Sequence, residues 1–177
     1  RYRLGGSVDW LSPTGRGDSL SLKGLVSTTG GVTFVRAAWL MPVGARGTKL
    51  GLAVSALRYR LGTPTFEPLD ASGKGEALTL QVLHPALRSR NQNLFVQGSL
   101  DHRRFEDRVD AIDLVSRKSA TSYFTAGVVG DFRDTLWGGG ISNYSANLIG
   151  GKLELKSAAD IATDVANYRA AGSYQKL

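Results

Sequence analysis

Apolar and polar residues alternate along eight runs of this chain, and each run has about the length of a β-strand. In the first run (2–10), Leu4, Val8 and Trp10 share one parity, while Arg3 and Asp9 share the other. Because successive side chains of a strand point to opposite faces, each run predicts a strand with one apolar and one polar face. Helical periodicity fits none of the runs. The pattern predicts an all-β, antiparallel protein.

The connections between these runs also alternate, in length. Four are short and lie at 12–17, 41–47, 85–91 and 134–140. Three are long and lie at 62–75, 106–118 and 156–172, with 28–31 as a compact exception. Short turns at one end and long loops at the other are typical of a transmembrane β-barrel. The first run ends in a short turn, so we expect the chain to start at the long-loop end.

Charged residues take over the apolar parity where three of the runs approach a long connection. Arg58 and Arg60 follow Ala56 in this way, and the same change occurs at His102 and at Lys152. A tilted strand needs only about 9–11 residues to cross a bilayer. We therefore expect these charged residues to lie above the hydrocarbon region, at the level of the lipid headgroups.

The polar parity carries mostly Ser, Thr, Asn, Gln and Gly, which suits a water-filled interior. A soluble barrel or sandwich also alternates, but the many Gly and Ala residues on the apolar parity would give it a thin core. Seven charged residues of the polar parity are predicted to face the lumen, where they contact an extended substrate or brace the wall. They are Arg3, Asp9, Lys23, Arg36, Asp101, Asp131 and Arg133.

Composition narrows the class further. The chain has 177 residues, 22 of them glycine, no cysteine, and a formal charge of +7. No apolar stretch reaches the ~18 residues of a transmembrane helix, and disulfides and Cys-based zinc sites are excluded. The basic charge comes without a basic helix, zinc-finger spacing or an aromatic RNA-binding cluster, which disfavours nucleic acid. Lipopolysaccharide or a polypeptide in transit is the expected partner of this charge.

Short motifs give no case for an enzyme. Arg16-Gly17-Asp18 matches an adhesion tripeptide but also reads as a tight turn. The glycines at 138–140 are not followed by a helix, so a phosphate loop is not predicted. His84 and His102 lie on different strands without a third ligand, so we expect no metal. Nucleophile elbows are absent, and no cofactor is predicted.

Three segments carry a resemblance to a known family: 1–22, 59–107 and 124–155. The middle segment is the most specific, with YRLG (59–62), LDASG (69–73), HPALRSRNQNL (84–94) and DHRRFED (101–107) in the same order. The chain resembles the β-barrel of two-partner secretion transporters, the haemolysin-activator/secretion family. The resemblance covers essentially the whole chain and is weakest at 108–123 and 156–177.

The resemblance implies a bacterial outer-membrane barrel of 16 strands. It also implies a periplasmic recognition region, a plug helix and a long sixth extracellular loop, none of which is found in these residues. Residues 1–177 would then form one partial barrel domain of about eight strands, with a ninth beginning at Ser173. The implied function is transport of an unfolded, TpsA-like exoprotein, such as a haemolysin or adhesin, to the cell surface.

Two alternatives remain open from the residues alone. One is a complete eight-stranded outer-membrane barrel that acts as an anchor or a surface-binding protein. The other is a soluble, lipocalin-like barrel that binds a ligand.

Overall fold

The computed structural model describes residues 2–27, 31–60, 71–109, 114–135, 138–157, 161–162, 164–168 and 171–176. These residues form nine β-strands in a single sheet. The strands are β1 Arg3–Leu11, β2 Ser19–Ser27, β3 Val32–Val43, β4 Thr48–Arg60, β5 Ala71–Arg88, β6 Gln92–Val109, β7 Leu114–Asp134, β8 Gly140–Leu155 and β9 Gly172–Lys176.

Each strand pairs antiparallel with its neighbours in sequence, in the order β1 to β9. Such an order is the up-and-down arrangement of barrels. Within the described part of the chain, β1 pairs only with β2 and β9 only with β8, so the sheet is unclosed. The predicted all-β, partial-barrel fold is confirmed, and all eight runs and the ninth are strands.

The short turns follow from their glycines and from one aspartate. Gly15 and Gly17 both have φ of +76°, a left-handed conformation that side chains disfavour. The Asp18 side chain accepts hydrogen bonds from the Thr14 backbone nitrogen (3.2 Å) and hydroxyl (2.7 Å). A compact turn between β1 and β2 is the result, as the sequence predicts.

The sheet is longer than predicted at the opposite end. Residues 106–118 were predicted as a long loop, yet β6 continues to Val109 and β7 begins at Leu114. Likewise β5 already includes 71–75. At the short-turn end, β5 also continues through 85–88, part of a predicted short connection, past an irregularity between Pro85 and Leu87. The charges that suggested loops lie on strands instead, because backbone pairing does not require the apolar parity by which a strand is recognised in the sequence. Residues 28–30 of the predicted connection 28–31, and residues 62–70 of the predicted connection 62–75, lie outside the described residues.

The long connection between β8 and β9 is confirmed where it is described. It contains one π-helical turn, Asp164–Tyr168. A carboxylate oxygen of Asp164 accepts a hydrogen bond from the Ala171 backbone nitrogen (3.0 Å) just before β9. Among the described residues, no helix combines the length and the apolar character needed to span a membrane.

The register divides the sheet into two faces. We call the polar face the one that carries Lys23, with Arg36 and Ser55 opposite it on β3 and β4. The apolar face is the other one, with Leu22 opposite Ala37 and then Val54. Ala53 and Ala120 are the only buried hydrophobic residues among those described. The sheet therefore has no apolar core of the kind that would stabilise a soluble lipocalin-like barrel.

Candidate functional site

The register places all seven predicted lumen residues on the polar face. Directly opposed residues share a face in an antiparallel sheet, so the register of paired residues can be followed from strand to strand. Arg3 and Asp9 lie on this face of β1, opposite Ser27 and Ser21. The remaining five lie on the same face of the strands that follow, and they are Lys23, Arg36, Asp101, Asp131 and Arg133.

Asp101 is the most buried of the seven, with 9% of its surface exposed. Its carboxylate accepts hydrogen bonds from the Thr79 hydroxyl on β5 (2.7 Å) and the Ser99 hydroxyl (3.0 Å). The Arg103 guanidinium lies 3.9 Å away and also stacks over the ring of Tyr123 on β7, 5.2 Å from its centroid. Asp101 therefore joins β5, β6 and β7, which is a bracing role.

A second set of polar contacts braces the same face. The Asn93 amide donates to both carboxylate oxygens of Asp131, at 3.1 and 3.2 Å. Further along β6, the Gln97 amide donates to Asn147 on β8 (2.8 Å), passing over Gly127 of β7. A Cβ at position 127 would overlap the Asn147 amide, so this bridge requires glycine.

The other five residues of the set are exposed to solvent. Arg3, Asp9, Lys23, Arg36 and Arg133 are exposed, and none makes an ion pair with a described residue. Lys23 lies directly opposite Arg36, although like charges in that position repel each other. Asp131 accepts its hydrogen bonds from Asn93 and makes no ion pair with Arg133, two residues further along β7. The face thus combines satisfied carboxylates with unpaired cations.

On the apolar face, the boundary between apolar and polar side chains runs diagonally across the sheet. Followed away from the short turns, the apolar run of each strand ends at a last aliphatic or phenylalanine side chain, with glycine and tyrosine not counted. From one strand to the next, this end stays level or moves toward the short turns. From β1 to β8 it is Leu4, Val26, Val35, Ala56, Leu78, Leu100, Phe124 and Leu148.

The slope of this boundary gives an angle. Leu4 pairs with Val26, so the boundary is level between β1 and β2. Val26 pairs with Thr33, so the boundary residue of β3, Val35, lies two residues nearer the short turns. The same shift of two residues occurs in three further pairings, β4 with β5, β5 with β6 and β7 with β8. Eight residues over seven pairings, at roughly 3.3 Å per residue and 4.8 Å per strand, correspond to about 38°. Barrel strands tilt by roughly 35–45° from the barrel axis. The boundary is therefore level when the strands have the tilt of a barrel.

Above this boundary, the apolar face becomes a charged surface centred on Glu106. Its carboxylate contacts Arg108 at 2.8 Å, Lys74 at 3.4 Å and Lys118 at 3.5 Å, so it joins β5, β6 and β7. The hydrogen bond from Arg108 lowers the pKa of Glu106; burial opposes this shift, and the charges of Lys74 and Lys118 reinforce it. The strands remain paired here because cations and a carboxylate alternate across them.

Two contacts escape sequence reasoning. The Trp39 indole nitrogen on β3 donates to Asp18 (2.8 Å), which buries that carboxylate within the turn. Burial raises the pKa of Asp18, but hydrogen bonds from Trp39 and Thr14 outweigh it and leave the pKa below its ordinary value. Since Asp18 is fully engaged, the Arg16–Asp18 tripeptide is a turn and does not present an adhesion motif.

The second contact joins Tyr59 on β4 to Asp107 on β6, across Gly73 of β5. A Cβ at position 73 would overlap the Tyr59 ring, so glycine is again required. The hydrogen bond to Asp107 raises the pKa of Tyr59 to about 12. Glycines of polar parity with polar residues on both neighbouring strands are the signal for such bridges, but the register is needed to recognise them.

The histidines do not form a metal centre. The His84 ring nitrogen bonds the Thr48 hydroxyl (2.7 Å) near the short turns, and His102 bonds Ser122 (2.8 Å) above the apolar boundary. Within the part of the chain that the structure describes, no three His, Cys, Asp or Glu residues are grouped to hold a metal ion.

Sequence comparison finds relatives along almost the whole chain. The heme/hemopexin transporter protein HuxB of Haemophilus influenzae is 26% identical over 169 residues, which cover 96% of this chain and 29% of that protein. HuxB of strain Rd is 28% identical over 132 residues, covering 75% of this chain and 23% of its own length. This chain thus spans less than a third of these relatives. No family model matches the chain.

Solved structures share the fold. CdiB from Escherichia coli superimposes with a TM-score of 0.64 and 18% identity, over 86% of this chain and 28% of CdiB. CdiB from Acinetobacter baumannii gives a TM-score of 0.58 and 20% identity, over 85% of this chain and 31% of its own. HuxB is a transporter by name, and CdiB belongs to the two-partner secretion transporters. In sequence and in fold, this chain resembles the outer-membrane barrel of two-partner secretion transporters, as the sequence predicts.

Proposed function

We propose that this chain forms part of the wall of a pore that carries an unfolded polypeptide across the outer membrane of a Gram-negative bacterium. Its polar face lines the pore, and its apolar face contacts lipid and lipopolysaccharide. The short turns lie on the periplasmic side, and the longer strand ends lie at the cell surface. The whole activity belongs to a larger barrel, in which these nine strands supply one section.

The observation that carries this proposal is the diagonal apolar boundary. A sheet whose strands do not tilt has no reason to shift its apolar limit by about one residue per strand. A barrel with strands tilted by about 38° must do so if the limit is to stay level with a bilayer surface. The sequence relatives and the CdiB fold support the same placement.

The kind of exoprotein is proposed from the relatives of this chain and from the unpaired cations of the polar face. Two-partner transporters act with a TpsA-like secreted protein, and a haemolysin- or adhesin-like cargo is our first proposal. The name of HuxB makes a heme- or hemopexin-related cargo the next one to test. Unpaired Lys23, Arg36 and Arg133 would give the passage an attraction for acidic segments of that cargo.

The experiment reverses charges on the polar face of the full-length protein that carries this chain. Arg36→Glu and Arg133→Glu are expected to lower exoprotein secretion and to shift the pore toward cation selectivity in planar bilayers, because wall charges set selectivity. Arg36→Glu also places a carboxylate opposite Lys23, so the fold gains an ion pair.

The matched control is Arg46→Glu, an exposed residue of the short turn at 44–47, away from both faces of the sheet. Its secretion and selectivity are expected to equal the parent's. If Arg36→Glu and Arg133→Glu both behave like this control, these arginines have no role in transport.

A further inference from the structure

A groove of about 990 Å³ crosses the apolar face from β1 to β6. At the β1–β4 end its floor is apolar, with Val8, Leu22 and Val54 among the residues that line it. At the β5–β6 end its edge becomes polar, at His102 and Arg104. The groove runs straight across the strands, from each residue to its paired neighbour, whereas the apolar boundary shifts toward the short turns from β1 to β8. The groove therefore begins below the boundary on β1 and ends above it on β6.

Small side chains open this groove. Gly24 and Ala37 lie in it on β2 and β3, and Ala56 lies in it on β4. A Cβ at Gly24 would meet no heavy atom within 4 Å, so the space above it is empty of protein. Six strands at ~4.8 Å spacing make the groove about 24 Å wide. That width is greater than the two acyl chains of a phospholipid would fill.

Cations stand along the upper edge of the groove. Arg58 lies directly opposite Lys74, and Arg104 lies directly opposite Glu76. Among the described residues, neither Arg58 nor Arg104 has an ion-pair partner. Arg104 donates only through its Nε, to His102 at 3.0 Å, which leaves both terminal nitrogens of its guanidinium for another ligand.

A second cavity of about 460 Å³ continues upward from this edge, and Arg58, Lys74 and Arg108 line it. Glu106 neutralises part of this charge, since it contacts both Lys74 and Arg108. Positive charge therefore remains in excess immediately above an apolar groove. Guanidinium groups bind phosphate through paired hydrogen bonds, so this surface complements a phosphorylated headgroup.

We propose that this surface binds the lipid A part of lipopolysaccharide, with phosphates on Arg58 and Arg104 and acyl chains in the groove. This inference rests on the proposed function, because it requires the apolar face to lie against lipid. It deepens that function by assigning a specific site to the lipid contact. Lipid A fits better than a phospholipid because it combines two phosphates with more than two acyl chains.

The test uses the full-length protein, purified in detergent, and bisphosphorylated lipid A as the probe, with binding followed by native mass spectrometry. The variant Arg58→Gln with Arg104→Gln removes two cations that make no ion pair within the described chain, so the fold loses only the exposed hydrogen bond from Arg104 to His102. A basic residue near an anionic surface is worth on the order of 1 kcal/mol, and we expect the affinity to fall by about tenfold or more.

The charge-matched control is Arg46→Gln with Arg90→Gln, two exposed residues in short turns at the opposite end of the sheet. Its affinity for lipid A is expected to equal the parent's. If the two double variants weaken binding equally, the effect is one of net charge and the site is refuted.

A second variant tests the groove without changing charge. Gly24→Leu places a side chain in the open space above β2, and we expect it to weaken lipid A binding severalfold by occupying the place of an acyl chain. Unaltered binding would show that the acyl chains do not use the groove, and the proposal would fall.

Other ligands separate the sources of phosphate. Monophosphorylated lipid A, phosphatidylglycerol and inorganic phosphate are each expected to bind more weakly than bisphosphorylated lipid A. Equal binding of phosphatidylglycerol would mean that the surface attracts any anionic lipid, which contradicts the proposal. The two proposals can fail separately. If Arg36→Glu and Arg133→Glu leave secretion and selectivity unchanged while Arg58→Gln with Arg104→Gln weakens lipid A binding, the transport role is refuted and the lipid site is supported.

Discussion

The two faces of this sheet hold their charges in opposite ways. On the polar face, the carboxylates of Asp101 and Asp131 accept hydrogen bonds from neutral hydroxyl and amide groups, with one more distant cation, Arg103, at 3.9 Å from Asp101. Cations such as Arg36 are left unpaired. On the apolar face above its boundary, Glu106 binds three cations at once. In the first arrangement the cations are left free to attract anionic groups, whereas in the second a carboxylate neutralises part of the positive charge and links neighbouring strands.

The difference follows from what each face must do. Neutral donors can satisfy a carboxylate without consuming a cation, so a wall built this way is rigid and still attracts anionic groups. At the outer strand ends there is no apolar parity to stabilise pairing, and ion pairs between neighbouring strands take its place. Substitutions can test each half of this comparison.

The largest effect is expected from Asp101→Ala. This change leaves the Thr79 and Ser99 hydroxyls and the Arg103 guanidinium without their acceptor. Removing one partner of a buried network lowers stability by about 1–3 kcal/mol, which urea unfolding of the full-length protein in lipid vesicles would measure. Asp9→Ala is the control, since Asp9 is exposed on the same face, and its change should stay within about 0.5 kcal/mol. Equal losses would contradict a bracing role for Asp101.

An intermediate effect is expected at Glu106, and it depends on pH. The hydrogen bond from Arg108 lowers the pKa of Glu106, with burial opposing and with Lys74 and Lys118 adding to the shift. A lowered folded-state pKa means that this stabilisation is present above the ordinary value near 4.5 and is lost as pH falls through the folded-state value. The protection factors of amide hydrogen exchange, which compare each rate with the intrinsic rate at the same pH, should therefore fall at the outer ends of β5–β7 on acidification.

Glu106→Gln should show at neutral pH the low protection factors that the parent shows in acid, because it never carries the charge. Glu154→Gln is the matched control. Glu154 pairs with Lys152 at 3.0 Å on the same strand, and both side chains are about half exposed, so its loss should matter less. If the protection factors of the Glu106 variant still fell with pH over this range, the effect would belong to another group.

The alternation of side chains predicts which face each residue occupies, and this is why all seven charged residues fall together. It does not predict which of them are buried. Asp9 and Asp101 have the same parity, and each has a serine or threonine opposite it and a serine two residues before it. Among the described strands, however, β1 pairs on one side only, whereas β6, which carries Asp101, pairs with β5 and β7, and this depends on the topology. The bridges over Gly73 and Gly127 escape for the same reason, since each joins strands that are two apart.

The extent of the strands is the part that sequence reasoning misjudges. At 106–118 the charges suggested a loop, because burial on one face is what makes a strand recognisable. Beyond the apolar boundary that signal disappears, although the backbone pairing continues to Val109 and from Leu114. The end of the apolar parity therefore marks the limit of the proposed bilayer, and it does not mark the end of the sheet.

The smallest effect is expected from Lys23→Thr. Lys23 faces Arg36 directly, and relieving such a repulsion should stabilise the sheet by about 0.2–1 kcal/mol. Lys49→Thr corrects for the strand preference of threonine, because Lys49 lies on the same face opposite Pro42 and Leu83, without a like charge beside it. We expect only the Lys23 variant to be more stable than the parent, and its pore to prefer anions less. This result would mean that the pair of Lys23 and Arg36 costs stability but contributes to anion attraction. Equal stability of the two variants would mean that solvent already screens the pair, and the contrast between the faces would then rest on Asp101 and Glu106.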